Sequence, residues 1–383
     1  MRYTRVTRTL SALGLIALGA AVLSGCSSGT TPSGSASGGS AKVPSYLSSY
    51  SKELAAAEKP VSWDGPTTAA AAPKGILVGA VNCSYTEEGC KAGGEAFTQV
   101  AKALGWKAKS IVVNDPTGYA QAIQTLLNEN VKAIFLGGVD ESLVPAAINE
   151  AKARHIPVVS QGSNYNIGGS GQVDADVHAN VTDEGKLMAD AAMIDHSGTV
   201  NALVLNDAEF AEPVAVLKAS KAQFASCSKC SIKYANPINF TRNVITNQLP
   251  TEVVSAMQTD PSINSIMIGF DPPAPYIVPA LDTAGDKTKV TMYSQLGDSA
   301  PLQLVQDDNI LKYDVASSTA WGTWGAFDEM IRYLDGKPLV NENLPLQVFT
   351  SSNPKLITKL GTNDFQATFA GYEKKYEQLW GVK

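Results

Sequence analysis

The chain has 383 residues, 44% of them hydrophobic and 17% charged, with a formal net charge of −6. That length and apolar content suit two packed domains and exclude a disordered or fibrous chain. No basic patch stands out in the body of the chain, so nucleic acid is not an expected partner.

Residues 1–25 read as an export signal. Arg2, Arg5 and Arg8 come first, and an apolar stretch from Leu10 to Val22 follows, too short to span a bilayer comfortably. Leu23-Ser24-Gly25-Cys26 comes next. This order resembles the bacterial lipoprotein signal, in which the cysteine is lipidated and becomes the first residue of the mature chain. Cys26 is thus the expected lipidation site and membrane anchor; an ordinary signal peptide with a chance cysteine is the alternative. Residues 26–74 are expected to form a lipidated flexible tether and an N-terminal extension. The first part, 27–42, is rich in Ser, Gly and Thr and almost uncharged. A short helix is expected over 46–57, and Pro60, Pro66 and Pro73 then enforce an extended approach, with Trp63 packing on the first domain.

From Gly75 the chain alternates between short Val/Ile-rich runs and amphipathic stretches. The run 76–81 feeds a polar loop, Asn82–Cys90, and a helix over 88–104. A strand at 107–113, a helix at 118–130, a strand at 132–136, a helix at 141–153 and a strand at 156–160 complete a first set. Tyr119, Ile123, Leu126 and Leu127 mark one face of the second helix. A second set of the same kind runs from 171 to a final helix over 363–380. Continuous apolar strands with helix-length crossovers mean parallel sheets buried on both faces. The fold class is therefore α/β, in two similar lobes, each a parallel sheet flanked by helices. Ligands of such sheets sit outside the carboxyl ends of the strands, which puts Asn82–Cys90 at the binding site.

Five cysteines are present: Cys26, and two close pairs, Cys83 with Cys90 and Cys227 with Cys230. In an exported protein local disulfides, Cys83–Cys90 and Cys227–Cys230, are the expected state. Redox chemistry at Cys227-x-x-Cys230, or a four-cysteine zinc site, is the alternative. No nucleophile motif, phosphate loop or zinc-protease motif is present, and His155, His178 and His196 are scattered. Neither a cofactor nor a metal is expected, and the chain is not expected to be an enzyme; an exported α/β enzyme remains the least favoured reading.

Several segments together resemble one family. Ala101–Trp106 (AKALGW), Asn114-Asp115-Pro116, Gln124–Leu127, Val131–Ile134 and His155–Val159 are similar to the first half of type 1 periplasmic binding proteins. Asp260–Met267 (DPSINSIM) and Asp335-Gly336-Lys337-Pro338 are similar to its second half. These are the ribose/galactose-type solute receptors of ABC importers, and the likeness covers roughly Gly75–Thr350. It implies two lobes joined near 177–179, 317–318 and 344–345, with a ligand cleft between them. The lobes so implied are 75–177 plus 318–344, and 178–317 plus 345–383. It also implies a small-molecule solute and a permease as partners, a monomer, and a place outside the cytoplasm on a lipid anchor. A sensing subunit of the same fold is the second reading.

Carried over by position, the ligand-binding candidates are Asn82, Tyr85 and Glu87 in the first loop, and Gln161 after the fourth strand. Glu212, Phe240, Phe270, Asp271 and Gln295 follow from the second lobe, and Ser317 and Trp321 from the last crossing. Most charged residues that sugar-binding members use are replaced here, leaving a more aromatic set. A neutral, sugar-like ligand is the leading expectation. A cationic one becomes reasonable if Glu87, Glu88, Glu209 and Glu212 line the cleft.

Overall fold

The computed structural model describes residues 43–162, 167–207, 209–357 and 371–382. The expected signal, Cys26 and the tether lie outside them, as does the first part of the expected C-terminal helix. In chain order the elements are α1 (Ser48–Ala57), β1 (Leu77–Asn82), α2 (Glu88–Ala103), β2 (Lys107–Val112), α3 (Tyr119–Asn128), β3 (Ile134–Gly137), α4 (Pro145–Ala153), β4 (Val158–Gln161) and β5 (Ala175–Ala179). Then come α5 (Val181–Asp195), β6 (Thr199–Asp207), α6 (Ala211–Ser226), β7 (Ser231–Tyr234), β8 (Ile238–Phe240), α7 (Gln248–Thr259), β9 (Ser265–Ile268), α8 (Ala274–Thr283), β10 (Thr291–Gln295), α9 (Ser299–Gln306) and β11 (Leu311–Ala316). The last are α10 (Thr319–Leu334), β12 (Asn343–Leu344), β13 (Gln347–Thr350) and α11 (Tyr372–Leu379).

Two sheets form. The first runs β12-β5-β4-β3-β1-β2 and the second β13-β11-β10-β9-β6-β7, with β8 also pairing β6. The central strands β3 and β9 are buried at every position, as the unbroken apolar runs require. Every pair is parallel except β13 against β11, which is antiparallel. β13 reaches this edge from the first sheet, only Pro345 and Leu346 after β12.

The chain passes between the sheets at three places. β5 ends the first sheet at Ala179 and α5 packs on the second lobe. β11 leads through Ser317-Ser318 into α10, which lies against β4 and β5. β12 leads back through Pro345 to β13.

Two terminal segments depart from the expected boundaries. Residues 345–383 do not all go with the second lobe. α11 sits on α10 of the first: Trp380 stacks on Trp324 with centroids 5.5 Å apart, and its Nε1 donates to Asp328 Oδ1 at 2.7 Å. The reason is the composition of α10. Ala320 through Arg332 are all buried, so the outer face of this helix needs a cover as apolar as its inner one. The cover comes from both ends of the described chain. Trp63 stacks on Trp321 at 5.6 Å and meets Tyr376 edge-on at 5.0 Å.

The N-terminal extension, in turn, spans both lobes. α1 packs on α5, and the Tyr46 hydroxyl donates to Ser197 O at 2.8 Å. Gln347 Nε2 and Asn353 Nδ2 donate to Ala57 O and Glu58 O. Farther on, Arg332 donates to Thr68 O at 2.6 Å, and Trp106 Nε1 to Pro73 O at 2.6 Å, both in the first lobe. No helix among the described residues is long and apolar enough to cross a membrane.

Candidate functional site: a cleft between two sheets

The carboxyl ends of both sheets face one cleft. The first lobe lines it with Glu87, Gly93, Gly138, Asp140 and Gln161; the second with Glu184, Phe210, Glu212, Arg242, Phe270, Gln295 and Asp298; His178 and Ser317 stand at the crossings. Contacts between side chains of the described residues bridge the lobes across the cleft. Glu87 Oε1 pairs with Arg242 Nη1 at 3.1 Å. Glu88 Oε2 accepts from the Ser299 amide at 2.9 Å, and its other oxygen accepts from the Ser299 hydroxyl.

The first rim is stiffened by the Cys83–Cys90 disulfide, whose Cα atoms are 5.5 Å apart. Gly138 has φ +63°, and a Cβ there would come within 2.4 Å of Cys83 Sγ, so both backbone and space require glycine. The second pair, Cys227–Cys230, is also bonded and lies beyond the end of α6, away from the cleft. Among the described residues the four cysteines form these two bonds and no four-cysteine metal site.

Six of the eleven positional candidates reach the cleft: Glu87, Gln161, Glu212, Phe270, Gln295 and Ser317. The other five do not line it, each for a packing reason. Asn82 is fully buried and its Nδ2 donates to Ser110 Oγ at 2.9 Å. The Tyr85 hydroxyl folds back on α2, where a Cβ on Gly94 would lie only 1.8 Å from it. Phe240 is buried behind Phe270, stacked on it at 6.2 Å. Trp321 points the opposite way, into the aromatic cluster between Trp63 and Tyr372, with Nε1 donating to the Tyr376 hydroxyl at 3.2 Å.

Asp271 acts from beneath. Its Oδ2 accepts from the amides of Gly297 and Asp298 at 2.9 and 2.8 Å. This grip sets the turn after β10, where Leu296 takes φ +125°, a strained value for a branched side chain, and faces the cleft.

Charged cleft residues outside those candidates include Arg242, His178, Glu184, Asp140 and Asp298. Arg242 stacks its guanidinium on Phe210, 3.7 Å from the ring centroid, and its amide donates to Glu209 Oε2. Glu209 thus fixes Arg242, as Glu88 fixes Ser299. His178 Nδ1 is 2.9 Å from Asp176 Oδ2. Burial works against its charge, but the bond to Asp176 and the nearby Glu212 carboxylate outweigh it, so its pKa is raised.

Acids dominate the floor. Glu184 is held well above the carboxylate range by burial and then by Glu212 and Asp314. Burial pushes Glu212 up to about 7, although His178 opposes the rise. Asp298 and Asp271 are raised by burial and by neighbouring carboxyls, and burial lifts Asp314 to about 7. Among the described residues no group of three or more such side chains is arranged to hold a metal ion.

The family profile described as "Periplasmic binding protein domain" matches residues 78–338. The chain belongs to this family. Its two-lobed fold is shared with many solved binding proteins. A 5-methylthioribose transporter solute-binding protein from Thermotoga lettingae, solved with that compound, is 18% identical. The match covers 81% of this chain and 100% of that one, with a TM-score of 0.67. A solute-binding protein from Bacillus halodurans with bound myo-inositol is 14% identical over 78% of this chain and 99% of that one, TM-score 0.65. One from Agrobacterium vitis with bound allitol is 21% identical over 74% and 98%, TM-score 0.65. None of the curated proteins compared with it matches the chain. Periplasmic binding proteins work outside the cytoplasm as solute-binding partners of permeases rather than as enzymes.

Proposed function

We propose that this binding protein is a lipid-anchored receptor that takes one small, sugar-like solute between its lobes, closes on it and delivers it to an ABC importer. It binds without turnover and acts as a monomer. The observation that carries this reading is the cleft itself: one cavity lined by both lobes and bridged by Glu87–Arg242 and Glu88–Ser299. A ligand there touches both halves at once, so the closed form binds it better than the open form, which is all that closure requires. The solutes in the three structures above are small and rich in hydroxyls. Gln161, Gln295 and Ser317 supply uncharged polar groups for hydroxyls, and Phe270 with Phe210 an apolar wall. Cys26, by its place after the apolar segment, is the anchor.

The test is a thermal-shift screen of the purified protein across sugars, polyols, their amine derivatives and nucleosides. A ligand at a hundredfold excess over its Kd stabilises by about 2.7 kcal/mol, a rise of several degrees in Tm. A screen in which no compound of any of these classes raises Tm contradicts the receptor reading.

A further inference from the structure

We infer that the solute carries a protonated amine, held at the hinge end of the cleft by Glu184 and Glu212. The ligand class is then an amino sugar, an aminopolyol or an aminocyclitol, not its neutral counterpart. This rests on the receptor reading above and narrows it.

The argument begins with charge. Five carboxyl side chains line the cleft, Glu87, Asp140, Glu184, Glu212 and Asp298, against the cations Arg242 and His178. Both cations already have acid partners. Arg242 is engaged by Glu87, and His178 by Asp176. Glu184 is the telling residue. It is 3% exposed, it lines the cavity, and its Oε2 has no hydrogen-bond partner among the described residues.

A buried carboxylate without a partner is costly, and a second carboxylate beside it adds repulsion. In the empty cleft that cost is met by holding protons, and the raised pKa values of both acids follow from it. An ammonium group removes the cost directly. It offers three donors and one positive charge to Glu184 Oε2, which has no hydrogen-bond partner among the described residues, and to Glu212, whose burial His178 and Gln295 offset only in part. A neutral hydroxyl offers one donor and no charge. The remaining wall, Phe210 and Phe270, suits the carbon face of a ring or chain.

Proton movement gives a second signature. The groups facing Glu212 are Asp176 and His178 from β5, Glu184 from α5, Arg242 from the turn after β8, and Gln295 from β10. When an ammonium enters, the acids ionise and their protons leave. Below the raised pKa values binding must expel protons; above them it need not. Affinity for the amine should therefore rise from pH 6 towards pH 7, while the amine itself remains protonated.

The experiment is isothermal titration of the full-length protein with glucosamine, galactosamine and glucamine. The controls are glucose, galactose, sorbitol and the two N-acetylated amino sugars, in buffers of differing ionisation enthalpy. The expected result is binding of at least one free amine about tenfold or more tighter than its neutral and acetylated counterparts, with proton release near pH 6.5. Glu184→Gln should erase that preference while Tm stays level or rises, because it removes a buried unpartnered acid. Glu212→Gln is the second variant should the first fail to fold. Binding of the neutral compounds equal to or tighter than that of the amines overturns the inference and leaves the receptor reading intact. No binding by any of these compounds overturns the inference, and the receptor reading falls with it only if the wider thermal-shift screen also finds no ligand.

Discussion

Trp321 and Phe270 show how far a residue's role can be inferred from its place in the chain. Both follow second-lobe strands directly, and both are large and aromatic. Phe270 faces the cleft; Trp321 turns into the core between Trp63 and Tyr372. Strand ends are legible in sequence because period and turn chemistry mark them. The direction of a side chain there depends on partners that arrive from distant segments, here residue 63 and residues 372–380. Trp321→Ala should therefore cost about 3–5 kcal/mol of stability, as buried aromatic truncations do, and leave solute affinity unchanged within the folded population. Phe270→Ala should do the reverse in kind, weakening the solute-induced rise in Tm. Chemical denaturation and titration of the two variants check both halves. Glu184 was not legible at all: it sits in an ordinary helical first turn, and only the fold reveals that it is buried under the cleft.

At the scale of elements, most boundaries fall within a few residues of the pattern-based expectation, and the misses share a cause. The helix expected over 141–153 starts only at Pro145, which fits the first helical position and is preceded by a short tight turn at Glu141–Leu143. α7 starts only at Gln248, after a turn at Arg242–Val244 that presents Arg242 to the cleft. Both turns sit at strand ends, where the backbone is bent to face ligand. The N-terminal extension has a larger consequence. Periodicity shows α1 but not the role of the whole extension as a strap, held to Ser197 and Gln347 on one lobe and to Arg332 and Trp106 on the other. Deleting residues 43–73 uncovers Trp321, strips Arg332 of its Thr68 partners, and releases a fourth link between the lobes. The deletion variant should unfold at markedly lower temperature by calorimetry and bind a hydrophobic dye. A variant with unchanged Tm would show that the strap is ornamental.

At the scale of the molecule, the two-sheet architecture was the most legible feature, since continuous apolar strands at regular spacing admit few other folds. Assignment of the termini was the least legible, because α11 reaches the first lobe through chemistry shared with Trp63, far away in sequence. The pairs Glu87–Arg242 and Glu88–Ser299 join the two lobes across the cleft, and under the proposed function solute should favour that joined arrangement over an open one. The most direct test is the distance between two spin labels, one on the exposed face of α3 in the first lobe and one on α7 in the second. Measured with and without a compound that raises Tm, the distribution should shorten and narrow when the compound is bound. A bound compound that leaves the distribution unchanged would contradict closure of the cleft on its solute.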